Sequence, residues 1–414
     1  MTASASQTSE SPRRWRALVL IASAELLAMS LWFSGSAVAP ALRAEWGLSE
    51  SGGAWLTLAV QLGFVVGTLV SALGNLPDVL SARRLFAASA LLGAIANAGV
   101  AFAARGPASG MTLRFATGFF LAGVYPPGMK IMASWFRRGR GLALGILVGG
   151  ISLGKAFPYL VNALGSERWR VNVLAVSGFA VLGGALVLFF VEDGPFAAPA
   201  ARFDFGQIAK VFGNRGVRLA DFGYFGHMWE LYAMWTWFPV FARESFAARG
   251  LARPALAEMI AFLVIGAGFV GCILAGLAAD RVGRTVVTSV AMAVSGACCV
   301  VIGFLFGGSP WLLLAVAAVW GASIVADSAQ FSACVTELAD PPYVGTALTV
   351  QTCIGFLLTM ASIELVPRLV QAVGWRWAFV SLAPGPFLGI LAMQRLRRLP
   401  EAAQIAQGGG EAVR

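Results

Sequence analysis

Long apolar segments recur along the whole chain and are separated by short charged turns. Each segment is about 20 residues long, which an α-helix needs to cross a hydrocarbon core of ~30 Å. Only helices suit such segments, because a helix satisfies its own backbone hydrogen bonds where no water is present. The pattern predicts twelve transmembrane helices, at residues 17–40, 52–73, 85–104, 111–133, 141–163, 170–190, 217–241, 257–278, 285–306, 311–333, 344–366 and 376–394.

The composition supports the same interpretation. Hydrophobic residues make up 58% of the chain and charged residues only 12%, whereas soluble domains contain roughly 25% charged residues. Too few polar residues are therefore present to cover the surface of soluble domains of this total length. We expect a multi-pass protein of the inner or plasma membrane.

The net charge of +10 could indicate a nucleic-acid partner, but the positions of the basic residues argue against one. They cluster in alternate turns, at one set of helix ends. Cytoplasmic loops of membrane proteins carry such an excess of Lys and Arg, so the charge predicts that both termini are cytoplasmic and that no nucleic acid is bound. The clusters are Arg13/Arg14/Arg16, Arg83/Arg84, Arg137/Arg138/Arg140, Arg202/Lys210/Arg215/Arg218, Arg281/Arg284 and Arg395/Arg397/Arg398.

Two loops on the predicted cytoplasmic side repeat each other. Residues 74–84 read GNLPDVLSARR and residues 276–284 read GLAADRVGR. Each follows the second span of its half of the chain, places Asp four residues after Gly and ends in arginine. Internal repeats are typical of secondary transporters. The repeat predicts an N-terminal bundle of six helices (1–190), a cytoplasmic linker (191–215) and a C-terminal bundle of six helices (216–414).

At these loops the chain resembles the major facilitator superfamily, whose cytoplasmic signature is Gly-x-Leu-x-Asp-Arg-x-Gly-Arg. The second loop matches it except for Ala278 at the Leu position, whereas the first has Val79, Ser81 and Ala82 at three signature positions. Arg114 followed by Gly118 matches a family feature of the fourth helix. The Gly-Pro motif of drug antiporters is absent from the fifth helix. The resemblance implies a cytoplasmic gate formed by Gly74, Asp78, Arg83, Arg84, Gly276, Asp280, Arg281, Gly283 and Arg284.

The resemblance also implies an all-α membrane fold, with two six-helix bundles around a central cavity and alternating access by rocking of the bundles. Helices 1, 4, 7 and 10 of the family line the central path. Here each of them carries an ionisable residue within its apolar stretch, and the fifth adds Lys155. A charge at the bilayer centre costs at least ~2.5–3.5 kcal/mol. We therefore predict a substrate and proton pathway that includes Glu25, Arg114, Lys155, His227, Glu230, Asp327 and Gln330.

Structural roles remain open for some of these residues. His227 could be a buried histidine bonded to a carbonyl group, although Glu230 lies three residues later on the same helical face. Arg114 could mainly hold neighbouring helices together. With a single histidine in the chain, a His-rich metal site is not expected. No Walker loop is present to bind ATP. We predict neither enzymatic activity nor a metal or cofactor.

The sequence thus predicts a monomeric secondary active transporter, coupled to protons, for a small anionic or polar organic metabolite. Arg114 and Lys155 suit an anion. The acidic side chains of Glu25, Glu230 and Asp327 outnumber them and would suit an efflux antiporter for multiple drugs or lipophilic cations. A transporter-like receptor is a further alternative, but the tails of about 16 and 20 residues leave no room for an output domain.

Overall fold

The computed structural model describes residues 13–136, 139–164, 168–196, 204–251 and 253–408. Three arginines of the predicted cytoplasmic clusters, Arg137, Arg138 and Arg202, lie outside these ranges. The side chains of Arg140 and Asp78 also lie outside the described part, so the Asp78 position of the first gate loop is known only as backbone. The described residues form helices joined by short turns and contain no β-strand.

The first half of the chain forms helices that match its six predicted spans closely. Spans one and four are each divided into two helices. A short helix lies in the loop at residues 74–84, which we call the first gate loop; the loop at residues 276–284 is the second gate loop. The helices are α1 (Arg13–Met29), α2 (Ser34–Trp46), α3 (Glu50–Leu73), α4 (Leu76–Val79), α5 (Ala82–Phe102), α6 (Pro107–Leu121), α7 (Tyr125–Ala133), α8 (Arg140–Ala163) and α9 (Trp169–Phe190).

The second half repeats this order after a short helix, α10, at the end of the linker. Its seventh span is one long helix, while the eighth, tenth and twelfth are each divided. The helices are α10 (Ile208–Gly213), α11 (Arg215–Ala248), α12 (Pro254–Gly266), α13 (Gly268–Val282), α14 (Arg284–Ile302), α15 (Pro310–Ser323), α16 (Ser328–Leu338), α17 (Val344–Val373), α18 (Trp375–Ala378) and α19 (Pro384–Arg397).

Ten helical segments of the described chain are long and apolar enough to cross a membrane. They correspond to all the predicted spans except the fourth and the seventh. The fourth is divided into α6 and α7 and contains Arg114 and Lys130. The seventh, α11, is long enough, but Asp221, His227 and Glu230 lower its mean hydropathy. The predicted all-α membrane fold is confirmed.

Two of the helix breaks have different physical causes. The break at 122–124 precedes Pro126 and Pro127, which lack an amide hydrogen and whose rings clash with the preceding turn. The break at 30–33 contains no proline. Its carbonyl groups need partners from elsewhere, and they obtain them from Arg114, as described below.

The two halves pack against each other through two pairs of spans. α3 packs on α17, and α8 packs on α12 and α13. At one end of this interface, Ser51 Oγ donates to both carboxylate oxygens of Glu364 at 3.2 Å. At the other end, the Asp280 carboxylate lies beside Gly141 at the start of α8, where the helix dipole favours a negative charge. The side chains between these two ends are buried, and Lys155 is only 4% exposed.

Close helix packing leads to a testable prediction at Gly118. A Cβ at Gly118 would overlap the Val60 carbonyl oxygen of α3, whereas a Cβ at Gly178 of α9 would meet nothing within 4 Å. We expect Gly118→Ala to lower the free energy of unfolding by about 1–3 kcal/mol, because overpacking forces the helices apart. Gly178→Ala is the matched control and should leave it unchanged or raise it by up to ~1 kcal/mol. Thermal unfolding of both variants in detergent checks this, and equal behaviour would contradict the packing.

Candidate substrate and proton pathway

Lys155 lies where the two halves meet, inside a cluster of aromatic rings. Its Nζ is 4.4 Å from the ring centre of Trp32, 4.6 Å from that of Tyr232 and 5.2 Å from that of Trp235. It also donates a short hydrogen bond to the Tyr232 hydroxyl. Trp32 comes from the break in the first span, and Tyr232 and Trp235 come from α11. We call Lys155 and these three residues the central cluster.

The central cluster has hydrogen-bond donors to spare. Lys155 forms no ion pair with any acidic side chain of the described chain. The indole Nε1 atoms of Trp32 and Trp235 are buried and have no hydrogen-bond partner among the described residues. Buried polar groups are almost always paired, so unpaired donors call for a specific explanation. This set of donors and one positive charge suits a ligand rich in acceptor atoms.

Glu25 lies near the central cluster without joining it. Its side chain is fully buried, and neither carboxylate oxygen accepts a hydrogen bond from a described residue. Lys155 is close enough to interact electrostatically with the Glu25 carboxyl group, although the two side chains form no ion pair. The carboxylate lies against Gly128 of α7, where a Cβ would overlap it. A buried carboxyl group without fixed partners can gain or lose a proton without breaking a hydrogen-bond network.

Arg114 holds the break in the first span. Its Nη1 donates to the Leu31 carbonyl at 3.0 Å and its Nη2 to the Trp32 carbonyl at 2.5 Å. Nη1 also donates to Ser34 Oγ at 2.9 Å and to Asn97 Oδ1 at 2.7 Å, while Nε donates to a carbonyl of α3. All these partners are neutral, and the guanidinium has a partner on each nitrogen. Arg114 therefore positions the backbone of Trp32.

His227 and Asp327 face each other across the C-terminal bundle. His227 Nδ1 lies 2.8 Å from Asp327 Oδ1, and both side chains are almost fully buried. Among the described residues, Oδ1 accepts no hydrogen bond and His227 Nε2 has no partner. Asp327 comes from the break between α15 and α16. The structure thus brings these two predicted residues together.

The Glu230 side chain points toward α14 and α15 and does not share the Asp327 contact of His227. Its carboxylate accepts hydrogen bonds from Ser295 Oγ at 2.8 Å, Cys299 Sγ at 3.0 Å and Trp320 Nε1 at 2.6 Å. These partners belong to α14 and α15, so Glu230 faces the interior of the C-terminal bundle. The Glu230 carboxylate therefore accepts three hydrogen bonds from neutral donors, whereas the Glu25 carboxylate accepts none from the described residues.

The second gate loop reaches the predicted pathway through Gln330. Arg284 donates to Gln330 Oε1 at 2.7 Å and binds both oxygens of Glu337, at 3.0 and 2.8 Å. The loop turns at Gly283, whose φ of 90° favours glycine. Gly276 lies in close contact with the backbone of α8. The loop is therefore fixed to both α16 and the opposite half.

The first gate loop has a different set of contacts. Arg83 Nη1 donates to the Val191 carbonyl at 2.8 Å, and its Nε lies 3.5 Å from Asp193. These bonds tie the loop to residues 191–193, which directly follow α9. Arg84 and Arg281 are exposed, and Gly74 ends α3.

The sequence indicates Lys155 as a pathway residue but does not indicate the aromatic residues that surround it. Trp235 and Tyr232 lie in an aromatic-rich stretch of α11, but that richness does not indicate which of its aromatic residues surround Lys155. No signal in the sequence identifies Trp32, because its position depends on a break that contains no proline. Trp229 and Trp237 donate to backbone carbonyls and lie outside the central cluster.

Comparison with known proteins shows which family the chain resembles. The family model described as Major Facilitator Superfamily matches residues 20–363. The chain is 31% identical over 190 residues to a probable actinorhodin transporter of Streptomyces coelicolor. It is 30% identical over 183 residues to puromycin resistance protein pur8 of Streptomyces alboniger. It is 26% identical over 171 residues to MFS-type transporter pytF of Aspergillus terreus.

These alignments cover only part of each protein. They include 42%, 42% and 40% of this chain, and 32%, 36% and 55% of the three relatives, in the same order. The likeness of this chain to these relatives therefore concerns a shared portion rather than whole proteins.

Proposed function

The chain belongs to the major facilitator superfamily, and we propose that it is a proton-coupled transporter that carries a small aromatic anion across the membrane by alternating access. The observation that carries this proposal is the buried ammonium group of Lys155, which is enclosed by Trp32, Tyr232 and Trp235 and forms no ion pair with an acidic side chain among the described residues. An anionic group on the substrate would supply the missing negative charge. The rings around it would stack on an aromatic body.

The sequence predicts that the substrate is an anionic or polar organic metabolite. The central cluster favours the aromatic members of that class. Unpaired indole donors at Trp32 and Trp235 suit carboxylate or phenolate oxygens. Two of the relatives carry names that specify a compound, actinorhodin and puromycin. Those names concern the relatives, and they support transport of an organic compound as the hypothesis to test here.

Alternating access is proposed with residues 1–190 and 216–414 as the moving bodies and residues 191–215 as the linker. Polar contacts join the halves at each end, including Ser51 with Glu364 and Asp280 with the start of α8. Exposed polar contacts of this kind contribute only ~0–1 kcal/mol each, so they can break in every cycle. We propose a monomer with both termini in the cytoplasm, as the basic clusters predict.

Proton coupling is proposed at Glu25. Its buried carboxyl group has no hydrogen-bond partner in the described part of the chain, and Lys155 is its charged neighbour. A substrate anion that binds Lys155 would weaken the stabilisation of a charged Glu25 and favour its protonation.

We expect Glu25→Gln to abolish transport driven by a pH gradient while leaving substrate exchange at equal pH intact. The glutamine keeps the shape of the side chain but cannot carry a proton across the cycle. Proteoliposomes preloaded with an aromatic carboxylate would be measured in both modes, with wild type alongside. The expected loss is at least 10-fold in gradient-driven flux, a change of ~1.4 kcal/mol or more in the driven step.

Glu45→Gln is the matched control, because Glu45 forms an exposed ion pair with Arg170. It should transport like wild type in both modes. Full gradient-driven flux in the Glu25→Gln variant would show that Glu25 does not couple protons. Insensitivity of the wild-type protein to an imposed pH gradient would refute proton coupling altogether.

A second candidate function is export of an organic cation, because the rings of the central cluster already hold an ammonium group. Cations over aromatic faces are stabilised by ~0.5–2 kcal/mol. A lipophilic amine could displace Lys155 from the rings and then pair with Glu25. Ligands that differ only in charge distinguish the two candidates, and they are the basis of the final measurement below.

A further inference from the structure

A groove with a volume of about 790 Å³ runs between α11, α17 and α19. Gly226 and Gly385 form its floor, and their backbones approach so closely that a Cβ on either would overlap the other. Large apolar side chains form its walls, with Phe222 50%, Leu388 61% and Leu391 41% exposed. Small residues between large ones therefore create a recess on a face of the helices that meets lipid.

Three arginines lie at one end of this groove. Arg215 and Arg218 come from the first turn of α11, and Arg395 comes from the last turn of α19. Arg218 Nη1 donates to the Phe212 carbonyl at 3.0 Å. None of the three forms an ion pair with an acidic side chain in the described ranges, and Arg215 and Arg395 are exposed. This end of the groove thus carries uncompensated positive charge.

The length of the groove matches one leaflet of a bilayer. The rise along α11 from Arg218 to Trp229 is about 16 Å, and half of the hydrocarbon core is ~15 Å. Trp229 lies at the inner end and donates to the Ser381 carbonyl at 3.1 Å. The arginines are then at the level of the lipid headgroups, and the apolar walls follow an acyl chain toward the bilayer centre.

We propose that this groove binds an anionic phospholipid from the leaflet on the arginine side. Arg215, Arg218 and Arg395 bind the phosphate, since guanidinium groups match phosphate oxygens in geometry and charge. One acyl chain lies between Phe222 on α11 and Leu388 on α19. Because α11 also carries Tyr232 and Trp235, the lipid braces the helix that supplies half of the central cluster. The proposal depends only on the membrane location of the chain and not on its substrate.

The test compares two double variants of the full chain by native mass spectrometry in detergent containing phosphatidylglycerol or phosphatidylcholine. The groove variant combines Arg215→Gln with Arg395→Gln and keeps Arg218, which holds a backbone carbonyl. The control variant, Arg16→Gln with Arg397→Gln, removes the same charge outside the groove. We expect the groove variant to bind phosphatidylglycerol about 30-fold more weakly than wild type, since each basic residue near a bilayer surface contributes about 1 kcal/mol.

The control variant should retain wild-type affinity for phosphatidylglycerol, and phosphatidylcholine should bind all three proteins weakly. Equal loss in both variants would show a general charge effect and overturn the proposal. Glycerol phosphate, which lacks acyl chains, should not displace the bound lipid. Displacement by it at similar concentration would identify a soluble phosphate site instead and would also overturn the proposal.

Discussion

Lys155→Met is expected to weaken the binding of aromatic carboxylates by about 100-fold without lowering the stability of the protein. A charge-assisted hydrogen bond to a buried group contributes roughly 1.5–3 kcal/mol, and its loss leaves the carboxylate unpaired. Stability should be unchanged or higher, because a buried charge without an acidic partner is costly and methionine fills a similar volume. Titration calorimetry and thermal unfolding of the purified variant measure the two effects separately.

Lys130→Met is the matched control, since Lys130 belongs to α7 and lies outside the central cluster. It should bind aromatic carboxylates as tightly as wild type. If Lys155→Met binds them equally well, the substrate lies elsewhere. If instead Lys155→Met fails to fold while Lys130→Met folds, Lys155 has a structural role that its contacts do not suggest.

Arg114→Leu is expected to lower stability instead, with a loss of about 3–5 kcal/mol in the free energy of unfolding, because several buried acceptors lose a donor. The substitution removes the donors that satisfy the carbonyls of Leu31 and Trp32 in the break of the first span. It also leaves Asn97 Oδ1 with fewer partners, and each unsatisfied buried group costs about 1–3 kcal/mol. Arg114→Lys should rescue little, because an ammonium group cannot reach the same set of acceptors.

Thermal unfolding in detergent, with Arg105→Leu as control, measures this effect. Arg105 is exposed and precedes the same helix, so its replacement should change stability by less than ~0.5 kcal/mol. An Arg114→Leu variant with wild-type stability would contradict the role of Arg114 as the support of the helix break. A stable but inactive Arg114→Lys variant would shift that role toward the transport cycle.

The sequence predicted the fold well because apolar runs of membrane length leave few alternatives. A spanning segment must be helical, and the two related loops reveal the repeat directly. The prediction was least detailed at the breaks of the first and fourth spans. Prolines explain the fourth, but the break at 30–33 depends on Arg114, which is distant in the sequence and provides partners for the freed carbonyls.

The candidate site was predictable as a set of charged residues but not as an arrangement. His227 and Glu230 lie three residues apart and were expected on one face, yet His227 faces Asp327 and Glu230 faces α14 and α15. Side chains at this spacing start from neighbouring points on the helix and then follow their own rotamers. Which partner each one meets depends on tertiary packing, and spacing along one helix does not encode it.

The most direct measurement compares binding of aromatic compounds that share a fused-ring system and differ only in bearing a carboxylate, a carboxamide or an aminomethyl group. Calorimetry would be performed on wild type and on Lys155→Met. We predict that wild type binds the carboxylates most tightly and that this preference disappears in Lys155→Met. Tightest binding of the aminomethyl compounds, or a carboxylate preference that survives the loss of Lys155, would contradict an anion site at the central cluster.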